Sequence, residues 1–213
     1  MNETYMDNEL SLQENVTKLV LESKLKNLPF GILKAGVQHG YPEENFNNYK
    51  KHVGDQESRV AIKQEDLSFF PGWNEIQKEL TKIYGNPTNV YNSLMQTNEY
   101  SINKVHASLH CDPSDVIHLC CYGSVDWLLI DPEDKAEYRI TLEPGDFLYM
   151  RGYVLHETTP LSNRGSLIFM NLSYEEFPDQ ITGSFKNEKE REAFYKKQRE
   201  DFLLTLNKSS YIY

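Results

Sequence analysis

The chain has 213 residues, 39% hydrophobic and 25% charged, with 32 acidic against 22 basic side chains and a net charge of −10. That length buries an ordinary core in one domain, and the acidic balance excludes a general nucleic-acid or anionic-membrane binder, which needs a basic surface. Cys111, Cys120 and Cys121 form neither a disulfide framework nor a CxxC zinc spacing; the polar start MNETYMDNEL is no signal peptide, and no run approaches the ~20 apolar residues of a membrane span. The expectation is a cytoplasmic, reduced protein.

In chain order, the first expected element is a helix over 11–28. Leu12, Val16, Leu19 and Val20 share a face there, and Pro29 supplies the stop. Residues 30–70 are polar and broken, and read as loops and short strands. PGWNEIQKELTKIYG, 71–85, reads as a helix with Trp73, Ile76, Leu80 and Ile83 on one face, Pro71 in the first turn and Gly85 as terminator.

From Asn86 the texture changes. TNVYNSLMQ, DVIHLCCYG, VDWLLIDP, EYRITL, DFLYM, YVLHE and SLIFMNLSY are short β-rich runs broken by Gly, Pro, Asp or Asn. Evenly spaced short strands predict a sandwich or barrel. EPGD at 143–146 reads as a tight turn with Pro144 and Gly145 at its centre. A charged helix with a thin stripe of Phe194, Phe202 and Leu206 closes the chain, packed on the domain edge or forming a homodimer. The expected division is 1–85, a helical and irregular region packed on the core; 86–178, the β core; and 179–213, the C-terminal helix.

The chemistry concentrates in ASLHCDPSDVIHL, 107–119. In a strand, residues i and i+2 project to one face, so His110 and Asp112 pair as two-thirds of a 2-His-1-carboxylate set. That set suits non-haem Fe(II) and leaves coordination positions open. For the third ligand, His39 and His52 lie outside the strand block, His106 is a nearby strand position poorly placed to complete the set, and His118 lies too far along the same strand or its neighbour. His156 follows the EPGD turn on a later strand that can return beside the first, and is the choice. Cys111, between the two ligands, should point away.

These residues carry a resemblance. NVY at 89–91, HCDPSDVIHL at 110–119, GSVDWLL at 123–129, EPGDFLYMRGYVLHE at 143–157 and SLIFMNLSY at 166–174 together resemble the JmjC and cupin-like Fe(II)/2-oxoglutarate oxygenases, most of all the ribosomal-protein hydroxylase subgroup. Order and spacing match, including the 46 residues from His110 to His156. The resemblance covers Asn89–Tyr174. It implies a mainly β fold with flanking helices around a double-stranded β-helix (cupin or jelly-roll) core. It also implies Fe(II) held by His110, Asp112 and His156, with 2-oxoglutarate and O2 as cosubstrates and hydroxylation of a C–H bond. The implied substrate is a protein side chain, a peptide or an amino-acid-like small molecule.

Two departures stand out. The family commonly places a lysine or arginine for the far carboxylate of 2-oxoglutarate where this chain has Val125 and Asp126, and Asp126 would repel that group. A threonine usual before HxD is replaced by Ala107 and Ser108. Arg164-Gly165-Ser166, eight residues past His156, has the RxS form that many other 2-oxoglutarate oxygenases use, and a guanidinium can grip a carboxylate with two hydrogen bonds. Arg164 and Ser166 are therefore the expected cosubstrate anchors. Lys104, read in the strand approaching HxD, is a second candidate; Tyr91 and Asn92 are candidate pocket residues, and Arg151 a candidate at the rim. Trp127 and Tyr122 read as core. The missing lysine keeps two rivals open: a non-catalytic metal-holding cupin, and a cupin using its metal as a Lewis acid.

Overall fold

The structure is a computed structural model and describes residues 3–84, 90–112, 114–131, 134–152 and 154–171. The N-terminal part supplies β1 (Glu3–Tyr5), α1 (Leu12–Leu25), β2 (Phe30–Lys34), α2 (Glu43–Val53), β3 (Arg59–Ala61) and α3 (Trp73–Tyr84). Eight strands follow: β4 (Val90–Thr97), β5 (Ala107–His110), β6 (Val116–Tyr122), β7 (Val125–Ile130), β8 (Glu137–Leu142), β9 (Asp146–Met150), β10 (Leu155–Pro160) and β11 (Arg164–Asn171).

These strands form two sheets, one ordered β1-β2-β9-β6-β11-β4-β3 and the other β5-β10-β7-β8. From β4 onward the chain passes repeatedly from one sheet to the other. The middle of the large sheet is built from β4, β6, β9 and β11, and the small sheet from β5, β7, β8 and β10. That alternating winding of antiparallel strands is a jelly roll, the double-stranded β-helix expected from the sequence.

Strand alternation explains why the large sheet is buried on both faces. Along β6, Val116, His118 and Cys120 face the small sheet, while Ile117, Leu119 and Cys121 lie under the helices. The inter-sheet core includes Phe30, Ile32, Trp127, Leu129, Leu142, Leu148 and Ile168. The outer core holds Val16 and Val20 of α1, Phe46 and Tyr49 of α2, and Trp73, Ile76 and Leu80 of α3 against Leu94, Phe147, Leu167 and Phe169. Each such buried side chain contributes roughly 1.5–3 kcal/mol.

Local signals account for most boundaries. Ser11 caps α1 and exchanges hydrogen bonds with Glu14 in a capping box. The helix ends at Leu25, ahead of Pro29: Asn27 takes a left-handed φ of 51° and the Leu28 amide bonds back to the Ser23 carbonyl at 2.8 Å. EPGD is the turn read from the sequence, with Gly145 at φ 90° and the Asp146 amide donating to the Glu143 carbonyl at 3.0 Å.

Residues 30–70 hold the short strands expected there and add a helix. EENFNNYKKHV forms α2, which packs Phe46, Tyr49 and Val53 on the outer core at helical spacing within an otherwise polar segment. FGILK is buried and pairs with β9, while β3 pairs with β4, so the N-terminal region adds strands to the core as well as packing on it. The expected C-terminal helix and its dimer, the Gly85 terminator and the end of the last strand run lie outside the described residues. Among the described residues no helix is long and apolar enough to cross a membrane.

Candidate metal centre and the space beneath it

Cross-strand register builds the centre. β10 lies antiparallel between β5 and β7, and its register sets His156 directly opposite His110 and, on the other side, opposite Leu129. The two imidazoles sit 4.2 Å apart between ring centres. β5 ends at His110, so Asp112 lies just past the strand rather than within it; its Oδ2 still reaches within 3.6 Å of His156 Nε2. One ligand atom from each of His110, Asp112 and His156 lies within 4.8 Å of the others. Cys111 is buried beside Leu155, in a cluster with Leu109 and Ile130, and is not in the ligand group.

The hydrogen bonds suit metal binding. His110 Nδ1 lies 2.7 Å from the Ser108 carbonyl, and His156 Nδ1 lies 2.9 Å from the Val154 carbonyl. A carbonyl only accepts, so each Nδ1 carries the proton and each Nε2 presents its lone pair to the centre. Burial first, and then the neighbouring His110, push the His156 pKa down to about 4. The approach to Asp112 is therefore that of a neutral imidazole and a carboxylate, not an ion pair. Two imidazoles and a carboxylate on one side fit a divalent metal ion.

Beneath the triad, the inter-sheet space is polar where a barrel core is usually apolar. Arg164 opens β11 opposite Thr97 and is 0% exposed. Its Nη1 lies 3.3 Å from Ser166 Oγ and its Nη2 lies 3.3 Å from Met95 Sδ. It meets no carboxylate among the described residues. Burial pulls its pKa down to about 10. Around this space, His118 Nδ1 and Nε2, Trp127 Nε1, Thr97 Oγ1, Thr158 Oγ1, His106 Nδ1 and Arg164 Nε are buried without a hydrogen-bond partner among the described residues. Such groups are rare in native interiors and mark a site made for something polar. Trp127 links the levels: its ring lies 5.7 Å from that of His156 and 5.0 Å from that of His118.

The structure thus brings His110, Asp112 and His156 together, and gathers Arg164, Ser166 and Tyr91 on the inner face of the large sheet. Asn92 faces the other way and accepts a 3.2 Å hydrogen bond from the Trp73 indole. Lys104 lies in an exposed turn before β5, not in a strand, and stays outside the site. Arg151 is buried against the end of α1, with Nη1 2.5 Å from Asn27 Oδ1. It is neither at the rim nor at the surface. Asp126 faces outward and accepts from Thr141 Oγ1 at 2.6 Å. The repulsion expected of it is therefore absent, and Val125, Trp127 and Leu129 are the β7 residues that face in. Sequence reasoning missed the inward roles of His118 and Arg59. The alternation of VIHLCCY already put His118 on one face with Val116 and Cys120.

No protein-family model matches the chain, and no curated protein matches it significantly. Among solved structures, Bacillus subtilis oxalate decarboxylase is similar. One such structure, concerned with its Mn(II) centers, has 19% identity over 41% of this chain and 22% of that one, with a TM-score of 0.36. Another, of a single-site variant, has 20% identity with the same coverage and TM-score. The match spans about a fifth of the length of those proteins.

Proposed function

We propose that this protein is an Fe(II)- and 2-oxoglutarate-dependent oxygenase that hydroxylates a C–H bond of an amino-acid-like, peptide or protein substrate. The observation that carries this reading is Arg164: a fully buried guanidinium without a carboxylate partner among the described residues, in the same barrel interior as a 2-His-1-carboxylate set. Removing such a charge from water costs several kcal/mol, and a bound dianion would offset it. From His156 to the end of β10 at Pro160 is four residues, about 13 Å of strand. A five-carbon dicarboxylate, with one end at the triad and the other on Arg164 and Ser166, suits that depth.

In this reading His110, Asp112 and His156 hold the metal, with the Ser108 and Val154 carbonyls fixing both imidazole tautomers. Bound Fe(II) with 2-oxoglutarate and O2 supplies the oxidising chemistry. Arg164 and Ser166 orient the dicarboxylate, and Trp127, Ile168 and Leu129 keep the space dry.

The test is anaerobic. Protein loaded with Fe(II) is titrated with 2-oxoglutarate, and the visible charge-transfer absorption of a chelated 2-oxo acid is followed. A saturating band in the wild type that weakens in Arg164→Ala supports the reading. Iron bound with no band would sink it and favour a metal-holding or Lewis-acid cupin.

A further inference from the structure

A second arginine faces the same interior. Arg59 lies on β3, the strand that extends the large sheet beyond β4. Its side chain turns inward: Nε lies 3.3 Å from Ser93 Oγ, Nη2 lies 3.4 Å from Met170 Sδ, and the guanidinium sits over the Tyr91 ring at 5.5 Å. Met170 and Tyr91 belong to the inter-sheet core. Both lie toward the end of the barrel where β5 delivers His110 and where β9 hands over to β10, the end that carries the triad. Arg164 stands at the opposite end, beside the β10–β11 turn. Arg59 is half-buried, its contacts are neutral, and no described carboxylate pairs with it. Its positive field reaches both His118 and His156.

We propose that Arg59 is the substrate anchor, and that the substrate presents a carboxylate to it at the mouth of the metal site. This rests on the oxygenase reading and adds the substrate class. Charge balance argues for it. A divalent ion with Arg164 and Arg59 gives the interior four positive charges. Asp112 and a 2-oxoglutarate dianion neutralise three. The charge left over sits on Arg59, on the large sheet across from the triad, where an incoming substrate meets it. The guanidinium lies over the Tyr91 ring, leaving N–H groups for a carboxylate. Free acidic amino acids, the C-terminal carboxylate of a peptide and an acidic side chain share this chemistry.

The experiment uses the full chain with Fe(II) and saturating 2-oxoglutarate, without oxygen. The probes are acetate, propionate and butyrate, with acetamide, propionamide and butyramide as uncharged counterparts. Binding is read by tryptophan fluorescence, since Trp127 adjoins the triad. The carboxylates are expected to bind about tenfold or more tighter than the amides, and Arg59→Gln to abolish the difference without changing 2-oxoglutarate affinity. Arg59→Lys should recover part of it. Equal binding of acids and amides, absence of carboxylate binding to the wild type, or carboxylate binding unaltered in Arg59→Gln would each overturn the proposal. A loss of 2-oxoglutarate affinity in Arg59→Gln would overturn it too, by making Arg59 a cosubstrate contact. Failure of the oxygenase reading is seen separately, as no charge-transfer band in the wild type; the same probes then test Arg59 on the Fe(II)-loaded protein alone.

Discussion

Replacing Arg164 with methionine should make the empty protein more stable and the cosubstrate-bound protein weaker. Burial moves the Arg164 pKa from 12.5 to about 10, which corresponds to about 3 kcal/mol against the charged form. Methionine has similar length and adjoins Met95 without a charge to desolvate. Losing the contacts to Ser166 Oγ and Met95 Sδ, both at 3.3 Å, returns about 1–2 kcal/mol of that. The net gain is about 1–2 kcal/mol, or roughly 2–8 °C in Tm for a domain of this size. With 2-oxoglutarate present the order reverses. Truncating one partner of a buried charge pair costs at least about 2 kcal/mol, so the Kd should rise about 30-fold or more. Thermal unfolding of both proteins, with metal and with or without 2-oxoglutarate, measures both effects. A variant with wild-type 2-oxoglutarate affinity and an unchanged ligand-induced Tm shift would refute the reasoning, because Arg164 would then be structural.

Asp112→Ala and His156→Ala should each lower metal affinity by more than about 100-fold, since even the hydrogen-bond partners of ligands commonly account for 10–100-fold; metal content after dialysis checks this, and a full complement of metal in either variant rules out the triad. Metal-free protein should lose stability on acidification. His118 and His156 have depressed pKa values in the fold, so below about pH 6.5 the unfolded chain binds protons that the native state refuses. Stability is full above that pH and falls toward pH 4 by up to about 1.4 kcal/mol per pH unit for each histidine; urea unfolding across that range should show the slope, and a flat profile would contradict the buried neutral histidines. Gly145→Ala should destabilise by about 3 kcal/mol or more, because the residue sits at φ 90° and a Cβ there would come 1.8 Å from the Gly36 carbonyl oxygen. A Tm within about 2 °C of wild type would show that the turn can move aside.

Some of this was legible in the sequence because it is local. HxD followed by PGD and a later histidine marks a motif with fixed spacing, and the β-rich runs after Asn86 give away a barrel. The pairing of His156 with His110 is different. It depends on β10 inserting between β5 and β7, a long-range register that no local pattern encodes. Asp126 was misjudged for a simpler reason. The motif comparison fixed attention on its position, while the alternation Val125, Trp127, Leu129 already assigned it to the outer face. The helix over Glu43–Val53 escaped because its apolar stripe is thin: Phe46, Tyr49 and Val53 stand in a polar, Asn-rich segment. Arg59 escaped because an isolated arginine on a three-residue strand carries no signal until the sheet places it beside Tyr91 and Met170.

The strand that delivers His110 is only four residues long and lies at the edge of the small sheet, joined to β10 alone with an irregular register. A metal shared by His110 and His156 would therefore act as a clasp across that seam. When the clasp opens, β5 can fray, leaving the hydrogen-bonding edge of β10 bare for another chain to pair with. Metal starvation would then reach beyond lost turnover: it would turn the working barrel into an aggregation-prone one, and the supply of the ion would set how long each copy of the protein survives.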